Sequence, residues 1–271
     1  MTTTNLHPVR GRYRDPELTS LARTNSVIEL QLAHRSVRAF LDEPVGEEEL
    51  TAIVAAAQSA STSSNLQAWS VVAVRDPARR DRLATLAGDQ DFIRRAPLFL
   101  VWLADLGRIA RLAAARQATA GATEYLESTI LGFVDTSLAA QNAVIAAESL
   151  GLGTVFVGGI RNNPDGVAAE LNLPDRVFAA FGLAVGVPDP AESAGVKPRL
   201  PQRAVLHHEV YDATGDAVID DYDARLSEYN AEHGRSIGWI ATVLQRLADR
   251  DSLKGRHRLR EHLRRQGFPS V

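Results

Sequence analysis

Residues 134–153 read VDTSLAAQNAVIAAESLGLG. As far as residue 150 the pattern is helical and apolar nearly all round. Ala139, Ala140, Ala143, Ala146 and Ala147 let a neighbouring helix approach closely. A helix of this kind belongs in a core or in a subunit interface. Gly151 and Gly153 stop it, and residues 154–157 continue as a strand into Gly158-Gly159. A dinucleotide-binding Gly-x-Gly-x-x-Gly turn has the opposite context, following a strand and opening a helix. Gly151-Leu152-Gly153 has no third glycine and precedes a strand, so that reading is excluded.

Outward from this stretch, strands and helices alternate. Residues 70–74, 97–104 and 181–187 are short apolar runs that read as strands. A helix is expected from Ser26, where Ser26 and Glu29 have capping-box spacing, ending before His34. Another follows Asp42-Glu43-Pro44-Val45-Gly46, with Glu47, Glu48 and Glu49 at its positive end and Leu50, Ile53, Val54 and Ala57 on its apolar face. Residues 79–87, 124–150 and 165–171 read as further helices, and residues 61–65, STSSN, as a loop. The class is mixed α and β. Residues 1–25 read as an extended or loosely packed arm, 26–201 as the core, and 202–271 as an extension of the same domain. Within the extension, 211–229 is acidic, 232–239 loop-like, and 249–265 basic and helical. With little apolar face of its own, the extension is expected to wrap a larger body, its own or a partner's.

The chain has 271 residues, 45% hydrophobic and 23% charged, with a net charge of −3, enough for a sizeable core. An acidic balance argues against a nucleic-acid footprint. There is no cysteine, which excludes disulfides, thiolate metal sites and a cysteine nucleophile. The first residues lack an apolar segment, which predicts no secretory signal and a cytoplasmic location. The apolar run near 96–104 is too short to span a bilayer. His207-His208 are adjacent and face apart in an extended chain, so no metal site is suggested.

The chemistry is carried by two short cationic clusters, His34-Arg35-Ser36-Val37-Arg38 and Lys197-Pro198-Arg199. Arginine offers a planar fork suited to phosphate and lysine a point charge. Either cluster alone reads as a surface patch, with Arg35 and Arg38 paired to Asp42 or Glu43. Together, in an acidic chain, they favour one phosphorylated ligand held between them. Gly158-Gly159 alone could be a strand end, and the basic residues 256–265 a solvated helix face.

Taken in order, HRSVRAF, STSSNLQ, GDQ, VDTSLAAQNAVIAAESLGLG, VGGIRNNP and KPRLP resemble the nitroreductase superfamily, in particular its oxygen-insensitive NADPH nitroreductases and NADPH–flavin oxidoreductases. The match spans about residues 26–230. The resemblance implies an α+β fold with a mixed central sheet flanked by helices, and a C-terminal extension wrapping a homodimer. It implies FMN at the dimer interface, with NADPH or NADH as reductant. The expected activity is ping-pong, two-electron reduction of nitroaromatics, quinones or free flavin. By the same resemblance His34, Arg35, Ser36, Lys197 and Arg199 meet the FMN phosphate and ribityl chain. Arg38 stabilises the reduced ring at its pyrimidine edge, and Gln90 bonds the same edge. Ser61, Thr62 and Ser63 come from the neighbouring subunit, while Val157, Gly158 and Gly159 run beside the ring. Ser64 and Asn65 border the substrate face, and Arg235, in the loop 231–236, faces the 2′-phosphate of NADPH. No side chain is expected to act as the catalytic acid. A reductive dehalogenase or a non-catalytic FMN-binding protein on the same scaffold are the alternatives.

Overall fold

The computed structural model describes residues 8–271; residues 1–7 of the expected arm lie outside the described residues. In chain order the helices are α1 (Pro8–Tyr13), α2 (Ser26–Ala33), α3 (Glu47–Gln58), α4 (Pro77–Leu86), α5 (Asp91–Arg95), α6 (Gly107–Ala115), α7 (Leu126–Ser149), α8 (Pro164–Glu170), α9 (Ile219–Glu232), α10 (Trp239–Arg246) and α11 (Leu259–Arg265). The strands are β1 (Trp69–Val74), β2 (Leu98–Asp105), β3 (Gly153–Val157) and β4 (Val177–Gly186). They fall into two compact units. Among the described residues, one combines 8–35 with 193–253; the other combines 36–192 with 254–271.

The second unit is organised by β2, whose every residue is buried. Side chains alternate across a strand. Leu98, Leu100 and Trp102 enter one core with Ile53 and Ala57 of α3 and Ala139, Ala140 and Ala143 of α7. Phe99, Val101 and Leu103 enter the opposite core with Leu83, Ile93, Ile160 and Val167. The sheet order is β1-β2-β4-β3. All of its strand pairs are antiparallel, so the expected mixed character reduces to one parallel bridge, Ser36 to Thr154. The β2–β4 register shifts between Trp102 and Leu103, leaving Ala180 unmatched. The Arg161 guanidinium donates to the Ala180 carbonyl, satisfying a group that the ladder leaves over.

Helix α7 is long and apolar enough, by length and composition alone, to cross a membrane. Its alanine face is buried instead against the sheet and α3. The opposite face leaves Leu126, Ile130, Val134 and Leu138 about half exposed, one above another at four-residue spacing.

The smaller unit packs Tyr222, Leu226 and Tyr229 of α9 with Leu200 and Trp239. Residues 8–13, expected to be extended, form a helix with Val9 fully buried. Asn25, not Ser26, caps α2: its side chain accepts from the Ile28 N–H at 3.0 Å. The N-cap oxygen must reach a donor three residues on, which places the cap one residue earlier.

The basic tail is not simply a solvated face. Phe268 is fully buried against Phe178, Ala104 and Leu106. His262 is buried with Nδ1 2.8 Å from Asp165 Oδ1, and Arg265 donates to Asp165 Oδ2 at 2.7 Å. Burial acts to raise the Asp165 pKa, but these hydrogen bonds outweigh it and hold the carboxyl below its ordinary value. A depressed folded pKa contributes stability above about pH 4, lost as pH falls through the lower folded value. Asp165→Asn is therefore expected to unfold at lower urea than wild type at pH 6. The gap should narrow as the solution is taken to pH 3, as followed by circular dichroism.

Candidate functional site

In the smaller unit the two cationic segments, some 160 residues apart in sequence, converge on one buried side chain. Arg12, 6% exposed, donates from Nε to the Leu32 carbonyl at 3.1 Å and from Nη1 to the Lys197 carbonyl at 2.8 Å. Its Nη2 donates to the carbonyl of His34. The Arg199 N–H donates to the Arg12 carbonyl at 2.9 Å. Arg35 reaches the Ala194 carbonyl at 3.3 Å. The backbones of His34, Lys197 and Arg199 are thus held by a single residue. Lys197 and Arg199 are themselves exposed, while His34 and Arg35 are partly buried.

The segment before Lys197 also abuts α9. A Cβ on Gly195 would stand 2.7 Å from His233 Nε2 and 2.9 Å from the Tyr229 hydroxyl, so the close approach requires glycine. Burial pushes the Tyr229 phenol up, against a hydrogen bond with the Gly195 backbone. Arg14 makes a fork-to-fork pair with Glu232, both distances 2.7 Å, and its guanidinium lies 5.0 Å from the Tyr229 ring centroid. This pairing holds the Glu232 carboxyl below its ordinary value. Arg235 is exposed in the turn that follows, with its N–H donating to the Asn230 carbonyl at 2.8 Å.

In the sheet unit, Ser36 and Val37 run beside the start of β3, with the Val37 N–H on the Thr154 carbonyl at 2.9 Å. The Arg38 N–H donates to Glu192 Oε1 at 2.9 Å. Among the described residues its exposed guanidinium makes no ion pair with Asp42 or Glu43. Val157 closes β3, and Gly158 and Gly159 open a single turn of 3-10 helix. A Cβ on Gly159 would collide with the Ala87 carbonyl at 2.4 Å, so glycine is imposed by the turn 87–90, which presents Gln90. Asn162 donates to the same carbonyl at 3.2 Å. Gln90 closes that turn, its side-chain amide donating to the Gly88 carbonyl at 3.3 Å. A methyl group on Gly158 would meet the Arg161 and Arg256 guanidinium groups at 3.4 and 3.8 Å.

The loop 61–67 is shaped by Asp135, a buried carboxylate on α7. Thr62 Oγ1 donates to it at 2.5 Å, Ser63 N–H at 3.2 Å and Ala68 N–H at 3.1 Å. The Gln67 N–H in turn donates to Thr62 Oγ1 at 2.9 Å. The Thr62 hydroxyl is therefore engaged by α7 on one side and by its own loop on the other. Ser64, Asn65 and Gln67 all have positive φ, at 48°, 57° and 50°. Such backbone persists in non-glycine residues only where the surroundings over-determine it, as the Asp135 network does here. Ser61, Ser63, Ser64 and Asn65 remain exposed.

Arg12, Asp135, Arg161 and Arg256 escape the sequence reading. Arg12 and Arg256 lie in segments read as a loose arm and a solvated face. Asp135 reads as one polar residue on an apolar helix. A lone Asp inside such a helix was the one available signal, because buried charge needs partners.

Comparison with known proteins gives this arrangement a context. The model described as "Nitroreductase family" matches residues 32–187, and that described as "Nitroreductase family, C-terminal domain" matches residues 197–270. The "FMN reductase (NADPH)" of Bacillus subtilis is 40% identical over 253 residues, covering 90% of this chain and 98% of the relative. The "Oxygen-insensitive NADPH nitroreductase" of Salmonella typhimurium is 40% identical over 244 residues, covering 89% and 97%. The solved structure of B. megaterium NfrA2 superposes with a TM-score of 0.86 at 39% identity, covering 90% of this chain and 98% of that one.

Asp135→Ala orphans three donors in and beside the loop and is expected to cost about 2–3 kcal/mol of stability. Asp135→Asn, which keeps one acceptor oxygen, should cost less. Chemical denaturation of both variants checks the order.

Proposed function

The chain belongs to the nitroreductase family, and from that premise we propose that it is an FMN-dependent NAD(P)H oxidoreductase acting on small molecules. Its acceptors are nitroaromatics, quinones or free flavin. The observation that carries this reading is the convergence of the segments at His34 and Lys197 on Arg12. A phosphate dianion calls for cationic forks and a point charge fixed together. His34, Arg35, Lys197 and Arg199 are a donor set of that kind, so the residues present fit the phosphate of FMN, with Ser36 adding a hydroxyl.

Beside the ring we place Val157, Gly158 and Gly159, where the missing side chain at Gly159 is demanded by close packing. Gln90 and Arg38 address its polar edge, and the exposed charge of Arg38 favours electron density arriving there. Ser61 and Ser63 line the cofactor of a neighbouring subunit, and Thr62 contributes through loop shape because its hydroxyl is committed to Asp135. Ser64 and Asn65 border the face on which substrate stacks. FMN, when bound, would supply the two-electron chemistry between NAD(P)H and the acceptor. Arg235, exposed in its turn, receives the 2′-phosphate of NADPH. The half-exposed stripe Leu126, Ile130, Val134 and Leu138 supports a homodimer, since an apolar strip of that length invites a second copy. A cytoplasmic location belongs to the same proposal, because NADPH is held inside cells. Reductive dehalogenation and non-catalytic flavin binding gain no support from relatives named as reductases.

Purified protein is expected to be yellow, and its flavin absorbance to bleach under anaerobic NADPH; colourless protein that ignores added FMN ends this reading. Arg235→Ala should lower the NADPH-to-NADH ratio of kcat/KM about tenfold or more, the worth of one charge-assisted hydrogen bond. An unchanged ratio would remove Arg235 from nucleotide selection. Ile130→Glu should shift the protein from dimer to monomer in sedimentation velocity, and a persistent dimer would place the interface elsewhere.

A further inference from the structure

The family match begins at residue 32, so α1 precedes everything it covers. Yet α1 supplies the guanidinium on which both cationic segments meet. Arg12 engages carbonyls of Leu32, His34 and Lys197, and its own carbonyl takes the Arg199 N–H. These contacts bear on the backbones of three of the four residues assigned to the phosphate, and the fourth, Arg35, is the immediate chain neighbour of His34. Two residues on, Arg14 pairs with Glu232 and covers Tyr229 at the root of the turn that carries Arg235.

We propose that Arg12 is a positioning residue for phosphate recognition: it sets the spacing between the segments at 34–35 and 197–199, so that their side chains address one phosphate together. The inference rests on the functional reading above. A guanidinium holds its donors in one rigid plane, so three carbonyls bound to it are fixed relative to each other. Lysine, with three donors on a rotating tip, could join the same carbonyls without fixing their plane. Arg12 attaches to these segments through the backbone carbonyls of His34 and Lys197.

The test separates phosphate recognition from general integrity of the fold. FMN and riboflavin share the ring and ribityl chain and differ in the phosphate. Dissociation constants for both are measured by flavin fluorescence on the full-length apoprotein, for wild type, Arg12→Gln, Arg12→Lys and the exposed control Arg10→Ala. Arg12→Gln is expected to weaken FMN about tenfold or more while riboflavin changes less than twofold. Arg12→Lys should fall between, and Arg10→Ala should match wild type. If Arg12→Gln does not fold, Arg12→Lys decides by the same ratio. Variants in which FMN and riboflavin weaken equally, or in which neither changes, overturn the proposal while leaving the functional reading intact. A wild-type protein that binds FMN no better than riboflavin overturns the phosphate assignment itself, and this inference with it.

Discussion

Burial of β2 on both faces is the constraint from which the larger unit follows. A strand whose every side chain is covered needs a layer on each side. Even-numbered residues from Leu98 to Trp102 call up α3 and α7, and odd-numbered residues from Phe99 to Leu103 call up the layer containing α4, α5 and α8. β4 lies against β2, and β3 against β4, so the turn that ends β3 emerges at a fixed place beside the turn 87–90. The glycines proposed to flank a flat cofactor are therefore positioned by core packing rather than by a local motif.

A buried ionisable side chain organises the chain around it in each unit, Asp135 in the larger and Arg12 in the smaller. Asp135 gathers Thr62, Ser63 and Ala68 and keeps a run of left-handed residues in place. Arg12 gathers Leu32, His34 and Lys197. Each is a buried charge whose desolvation is offset by several hydrogen bonds. Neither is offered as a residue that touches substrate.

Much of the framework was legible in the chain itself. The helix 126–149, the strands near 70, 98 and 154, and the helices following Asn25 and Gly46 fall where periodicity and glycine placement put them. The cap of α2 and the helical character of residues 8–13 did not, because each depends on a partner distant in sequence or on geometry one residue out of step. Likewise α5, at five residues, spans little more than one turn and cannot repeat an apolar period. The tail looked solvated because its cationic residues outnumber its apolar ones. Its docking depends on Phe268 and His262, two residues that carry no pattern by themselves.

What the sequence by itself determined is the α+β class, the central apolar strand and the ordered set of motifs by which the family is recognised. Each is a local property, read from period, turn chemistry or adjacent residues. What only the tertiary structure decided is which charges lie buried and what they bind. A guanidinium at residue 12 and carbonyls at 32, 34 and 197 share no pattern along the chain, and hydrogen bonding is specified by position in space.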